Sequence, residues 1–404
     1  MAKGHIITGL DIGTGSIKVL VVNKELGGEK FEVVSQIKES SSGVRRGVVV
    51  NVEEVSNILQ RSLFQTKEET GQKINSVYVN VDGSHLFSLP SRGTIAVSRA
   101  DQKISEEDIQ RVLQAAQTFS LPSNKEIFDA FPREFIIDGE RGIKEALGLQ
   151  GVRLEAEVLV LGGFSPYLKN LTQAVLDSEL QVLDMVPSPI AAARAVLSSS
   201  QKELGVAVLD IGAGTSGLAV FEEGDLIHLA VLPIGSVNIT NDIAIGLKVD
   251  TEVAERIKIE YGSCFFKGDK KEKIKIGAEE PLVFSRRALT EIIEARVSEI
   301  FGEINKELKK ISREKLLPAG VVLTGGGALL AQMVELAKKE LKLPCKIGKP
   351  KGFLELEEDP SFSTVCGLVL GGVDLEEKKG EPAFRAFGRG IGSKIKRIFK
   401  IFIP

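Results

Sequence analysis

The chain has 404 residues, 43% apolar and 26% charged, with a net charge of −3; that is length for about two to four domains with ordinary cores and no overall pull toward nucleic acid or membrane. Three cysteines, Cys264, Cys345 and Cys366, lie far apart without C-x-x-C spacing, which argues against a disulfide frame or zinc site and for buried reduced thiols. No basic-then-apolar segment opens the chain and no apolar run approaches the roughly 20 residues of a membrane-spanning helix, so a soluble cytoplasmic protein is expected, with one qualification at the C-terminus.

The first element, GLDIGTGSIKVLV (residues 9–21), places a Gly-x-Gly turn behind an aspartate between two apolar strands. A dinucleotide fingerprint would run G-x-G-x-x-G into a helix; here Lys18 takes the third glycine's place and a β-branched run follows, so the pattern is strand–turn–strand. A tight hairpin turn explains this stretch as well as a binding loop does. Residues 205–221, GVAVLDIGAGTSGLAVF, repeat the plan, and in both copies a polar turn leads to a third strand. Two such meanders in opposite halves of the chain suggest a duplicated domain.

Glycines at Gly13, Gly15, Gly212 and Gly214 let backbone N–H groups close on phosphate oxygens, and Thr14, Ser16 and Thr215 add hydroxyl donors. Asp11 and Asp210 sit at strand ends, where carboxylates can hold a hydrated Mg²⁺ through its waters. Facing each other across a cleft, the two hairpins would clamp a nucleotide's phosphates. The helical stretch 252–262 carries Glu255 and Lys258 three apart on one face, which by itself reads as a surface ion pair. Residues 319–341 run from a strand through Gly325, Gly326 and Gly327 into an amphipathic helix, a flat glycine surface at a helix start that suits a nucleotide's sugar and base.

At the end of the chain, residues 374–382 (DLEEKKGEP) lack a hydrophobic period and are expected to be a flexible linker. Residues 384–404 then carry six basic residues and no acid, so the net −3 of the whole leaves −9 for the rest. On a helical wheel Ile391, Ile395, Ile398, Phe399 and Phe402 form one stripe, with Lys394, Lys396, Arg397 and Lys400 mostly elsewhere. Docking on the protein's own core explains the stripe but not the absence of acids; binding to an anionic membrane surface explains both.

Taken together, D-I-G-T-G, D-I-G-A-G-T, A-E-x-x-K and T-G-G-G in this order resemble the actin-like ATPase superfamily. Three further segments, residues 128–163 (FDAFPREFIIDGERGIKEALGLQGVRLEAEVLVLGG), 231–247 (VLPIGSVNITNDIAIGL) and 289–301 (LTEIIEARVSEIF), resemble the bacterial cell-division family FtsA. The resemblance implies an α/β fold: duplicated actin/ribonuclease-H-like subdomains around a nucleotide cleft, with a small inserted α+β domain. It implies a first subdomain at 1–82 and 164–195, the insert at 83–163, a second subdomain at 196–246 and 311–373, a small subdomain at 247–310, a linker at 374–387 and a basic targeting helix at 388–404. Turn-rich junctions flank the insert, and residues 265–282 read as a charged hairpin.

The same resemblance implies that ATP and Mg²⁺ are bound, that Lys18 points to the phosphates, and that Glu255 and Lys258 belong to the nucleotide site. It also implies self-assembly into filaments and tethering of the tubulin-like protein FtsZ to the cytoplasmic face of the inner membrane at the septum. FtsZ would meet a surface with Arg286, Arg287 and Arg296, and other division proteins would meet the insert. Hydrolysing relatives carry an aspartate where Gly217 stands, and the chaperones of the superfamily a glutamate where Ser188 stands, so ATPase activity is expected to be slow or absent and no general base is assigned. A pilus-assembly scaffold on the same fold is the alternative, and a small-molecule kinase would leave the basic tail unexplained.

Overall fold

The structure is a computed structural model that describes residues 5–24, 31–266, 268, 270–274 and 282–380. The helix expected at residues 388–404, with its stripe from Ile391 to Phe402, falls outside the described residues.

Two sheets carry the same plan. The first runs, across its width, Gln181–Pro187, Ser76–Val81, His5–Ile12, Ser16–Lys24, Phe31–Ser40 and Phe353–Leu354. His5–Ile12 pairs antiparallel with Ser16–Lys24 and parallel with Ser76–Val81. The second runs Asp225–Leu232, Ser216–Glu222, Val206–Ile211, Val321–Thr324 and Cys345–Ile347. Val206–Ile211 likewise pairs antiparallel with the strand after it and parallel with Val321–Thr324. In each half a meander of three strands is extended by parallel strands that return through helices, so the duplication visible in the glycine turns extends to the topology.

The sheets share one core. Ile7, Leu20 and Val22 from the first and Val206, Val208 and Ala219 from the second pack around two helices, Ser188–Val196 and Ser363–Gly380. Burial on both faces explains why these strands are nearly continuous apolar runs. The helices touch backbone to backbone: a Cβ on Gly367 would stand 1.7 Å from the Ala191 carbonyl oxygen, and one on Gly9 2.8 Å from that of Val365. Opposite these helices, the first sheet is covered by Val52–Thr70 and Ser165–Leu176, and the second by Ser236–Leu247, Arg286–Lys310 and Met333–Leu341. Residues 247–310 share a single hydrophobic core with the second sheet, Ile293 and Val297 packing with Leu209 and Leu218.

Between Ser76–Val81 and Ser165–Leu176 the chain forms a four-stranded antiparallel sheet, ordered Phe87–Ala96, Arg153–Phe164, Lys125–Ile137 and Glu140–Ile143. The helix Glu106–Gln117, capped by Ser105 and Asp108 as a capping box, covers one face. His85 ties the two ends of this unit together: the Phe164 N–H donates to Nδ1 at 3.2 Å, so Nε2 carries the proton and donates to the Asp82 carbonyl at 3.0 Å. Burial holds the His85 pKa below its ordinary value. Across to the second sheet, Lys144 Nζ meets Asp225 at 2.5 Å and Ser88 Oγ donates to the Leu229 carbonyl at 3.0 Å.

Two expectations need correction. The stretch from Asp374, expected to be linker, is helical to Gly380. Val373 is buried and Leu375 packs on the shared core, and Glu and Lys are good helix formers, so nothing stops the helix where the apolar period ends. The triple glycine does not open the amphipathic helix directly: Gly326–Leu329 is a 3-10 turn and the helix begins at Met333. The expected charged hairpin has its strands at Lys271–Ile274 and Leu282–Ser285, paired antiparallel; residues 275–281 between them fall outside the described residues.

Candidate functional site

The two glycine hairpins end their strands at the same height, on opposite sides of one cleft of about 250 Å³. Each closes in the same way, Gly13 N–H donating to the Ser16 carbonyl at 3.1 Å and Gly212 N–H to that of Thr215 at 2.9 Å. They approach so closely that a Cβ on Gly15 would stand 2.8 Å from that of Ala213, and one on Gly214 2.7 Å from Thr14 Oγ1. Side chains at these glycines would force the halves apart.

Of the residues expected to bind nucleotide, Asp11, Gly13, Thr14, Gly15, Ser16, Lys18, Asp210, Gly212, Thr215, Gly325 and Gly326 line the cleft. Gly325, at φ 83°, presses on Asp210: a Cβ there would stand 2.3 Å from Oδ1. Four do not line it. Gly214 closes the contact between halves, and Gly327 packs on Ile211, where a Cβ would lie 2.4 Å from Cγ2. Glu255 and Lys258 sit behind the second hairpin. The Lys258 ammonium is buried and donates to Glu255 at 2.7 Å, Thr240 Oγ1 at 2.8 Å and the Ser236 carbonyl at 3.3 Å. This network holds the helix Thr251–Tyr261 to Ser236–Leu247, whose first residue, Ser236, lines the cleft and donates its N–H to the Gly212 carbonyl at 2.9 Å. The N-terminus of Ser236–Leu247 therefore adds a positive dipole end beside the second hairpin.

The charges in the cleft are unequal. Lys18 stands opposite Asp11 in the strand register and pairs with it at 2.8 Å, both side chains 9% exposed. Asp210 stands opposite Gly217, which has no side chain to offer, and Thr364 Oγ1 donates to it at 3.0 Å. Burial, then the charges of Asp82 and Asp11, push Asp210 up to about 7. Asp82 is pushed up to about 6, chiefly by burial.

Sequence reasoning passed over several cleft residues. Asp82 accepts from Thr215 Oγ1 at 2.7 Å, and Asn80 accepts from the Ile12 N–H at 2.7 Å while donating to Ser188 Oγ at 3.0 Å. Lys38, Ser361 and Thr364 also line the wall. The signal for Asp82 was present: VYVNVDG is an apolar strand that ends in Asp-Gly, as both hairpin strands end in Asp-x-Gly.

Mg²⁺ fits this donor set as an indirectly held ion. Three carboxylates, Asp11, Asp82 and Asp210, face the cleft with only Lys18 and Lys38 as cations, so a phosphate tail would need further positive charge. Among the described residues no three His, Cys, Asp or Glu side chains converge as direct metal ligands, so any Mg²⁺ held here would keep several of its waters.

The partner-facing arginines differ among themselves. Arg287 is exposed and meets Glu291 at 3.0 Å, whereas Arg286 lies over the Phe266 ring at 4.7 Å. Arg296 grips Asp242 with two bonds of 2.6 and 3.0 Å and also pairs with Glu299. Its guanidinium thereby locks Arg286–Lys310 to Ser236–Leu247.

Two hairpin-led sheets on a shared pair of helices, with glycine turns and strand-end aspartates meeting at one cleft, define an actin-like ATPase fold. Solved structures agree at the level of the fold. The PilM-PilN type IV pilus biogenesis complex superposes with TM-score 0.65 at 18% identity, covering 91% of this chain and 98% of that one. MreB5 of Spiroplasma citri bound to ADP gives 0.57 at 14%, covering 94% and 99%. The family model for cell division protein FtsA matches residues 207–367, and that for the SHS2 domain inserted in FtsA matches 83–161. The chain is 37% identical to cell division protein FtsA of Pseudomonas aeruginosa over 381 residues, 93% of this chain and 91% of that protein. With the Bacillus subtilis FtsA it shares 33%, covering 91% and 84%. The chain belongs to the FtsA family of cell-division proteins.

Proposed function

We propose that this actin-like cell-division protein binds Mg-ATP in the cleft, assembles into filaments and tethers FtsZ to the cytoplasmic face of the inner membrane at the septum. The observation that carries the nucleotide part is the meeting of two D-x-G-x-G turns from opposite halves, with Thr14 and Thr215 and a helix N-terminus beside them. Thr14, Ser16, Thr215 and the glycine N–H groups would hold phosphates, Lys18 would balance charge, and Asp11 and Asp210 would hold the waters of Mg²⁺. The bound ion supplies the positive charge that lets phosphates sit beside carboxylates. ATP binding both halves would join them, and the joined form would assemble.

Hydrolysis is slow or absent on this reading. Gly217 offers no carboxylate, and Ser188 is a weak substitute for a group that must accept a proton from water. The division at 1–82 and 164–195, 83–163, 196–246 and 311–373, and 247–310 belongs to the same proposal. The basic tail of residues 388–404 would provide the membrane anchor, and the insert a surface for other division proteins. Because Arg296 is half-buried and committed to Asp242 and Glu299, FtsZ contact through residues 284–310 would fall chiefly to the exposed Arg287.

The test is co-sedimentation with anionic vesicles, with and without Mg-ATP, of the full chain and of a chain lacking residues 388–404. ATP-enhanced pelleting that disappears with the tail is expected. Equal pelleting of the shortened chain would refute the tail as anchor.

A further inference from the structure

We propose that Asp82 is a built-in competitor for the nucleotide's phosphates: its carboxylate holds the Thr215 hydroxyl across the cleft in the place a phosphate oxygen would take. The inference rests on the reading of the cleft as a nucleotide site, and it concerns how tightly that site binds a nucleoside di- or triphosphate with its divalent cation.

Thr215 belongs to the second hairpin and Asp82 directly follows the first-half strand Ser76–Val81, so their 2.7 Å hydrogen bond runs from one half of the fold to the other. A hydroxyl has one proton to donate. While Asp82 receives it, a phosphate cannot.

Asp82 is also wedged. Gly47, at the tip of a short hairpin with φ 78°, lies so near that a Cβ there would stand 2.9 Å from the Asp82 carboxyl carbon. The Gly47 N–H in turn donates to Thr14 Oγ1 at 2.9 Å, in the first phosphate hairpin. From behind, His85 Nε2–H donates to the Asp82 carbonyl. Its backbone and one flank are thus fixed, and the carboxylate faces the second hairpin.

The charge pattern makes the competition unfavourable to an anion. Lys18 is engaged by Asp11, and no ion pair is found for Asp82 among the described residues. A phosphate tail arriving at Thr215 must displace a carboxylate and then remain beside it. At such short range, removing one like charge is worth on the order of a tenfold change in affinity. Asp82 acts through binding alone and has no catalytic part in the proposal.

Calorimetric titration of the full chain with Mg-ATP tests this, comparing the wild type with Asp82→Asn and Asp82→Ala. Melting without nucleotide establishes that each variant is folded. Both variants are expected to bind about tenfold more tightly than the wild type. A merely structural role would lower the melting temperature and weaken binding instead. If the wild type binds Mg-ATP and the variants bind equally or more weakly, the proposal is overturned while the nucleotide site stands. If the wild type shows no binding heat and no Mg-ATP-dependent melting shift, the site reading fails and Asp82 with it. Should Asp82→Ala not fold, Asp82→Asn decides, because it keeps the size of the side chain and removes the charge that opposes the phosphates.

Discussion

The two glycine hairpins have nearly the same sequence and the same backbone, yet they are electrostatically unlike. In the first, Asp11 faces Lys18 across the strand pair and the two form a buried ion pair. In the second, Asp210 faces Gly217, and its carboxyl is raised to about 7 by burial and by its acidic neighbours. Duplication supplies a pair of equivalent backbone cradles; the residue opposite the aspartate decides whether each cradle carries its own counter-ion. The second half has no cation of its own opposite its aspartate.

The sharpest way to break this contrast is to make the halves alike. Lys18→Met leaves Asp11 enclosed and unpaired, and a loss of about 3–5 kcal/mol in denaturant unfolding is expected at neutral pH. A loss below about 1 kcal/mol would show that the pair is no true counter-ion.

The matching change in the second half should have the opposite sign. Asp210 ionises near 3.8 in the unfolded chain and near 7 in the fold. The stability tied to its protonated form is therefore complete below about pH 4 and is lost as pH rises through about 7. Asp210→Asn imitates the protonated acid. It should leave stability unchanged near pH 4 and raise it on the order of 2–4 kcal/mol at pH 8, read from melts across that range. Asp11→Asn should destabilise at pH 8, because it strands Lys18.

Mg-ATP should then act most where Asp210 is ionised. At 100 times its Kd, ligand adds about 2.7 kcal/mol to the fold, and the melting shift should be larger at pH 8 than at pH 5.5. A shift of equal size at both values would detach the ligand effect from Asp210.

Charges outside the cleft sharpen the contrast by being small. Arg296→Ala removes two bonds to Asp242, and about 1 kcal/mol is expected for a partly exposed bidentate pair. Lys144→Ala, at a half-exposed pair between the inserted unit and the second sheet, should change stability by less than about 0.5 kcal/mol.

Much of the cleft lining was legible in the chain, because a glycine turn is a local feature. Asp-x-Gly-x-Gly after an apolar run announces a strand end, a tight turn and exposed N–H groups, all within a few residues. The insert was legible through its own turn-rich junctions and its family-like segment. Asp82 was missed although it ends a strand in the same manner, because it reaches the cleft only through parallel pairing of Ser76–Val81 with His5–Ile12. Thr364 meets Asp210 across 154 positions of sequence, a contact that no local pattern announces. Glu255 and Lys258 lie behind the second hairpin instead of in the cleft wall, since an i, i+3 pair shows which face of a helix is charged and not what lies against it.

The sequence by itself determined the two cradles, the three-strand meander around each and the apolar runs of their strands, because these follow from short-range backbone and hydrophobic patterning. Only the tertiary structure decided which acids share the cleft, which of them has a cation, and that Arg296 is committed to Asp242 on a neighbouring helix while Arg287 stays exposed. Those outcomes depend on distances between residues far apart in the chain, and electrostatic energies change most steeply with just those distances.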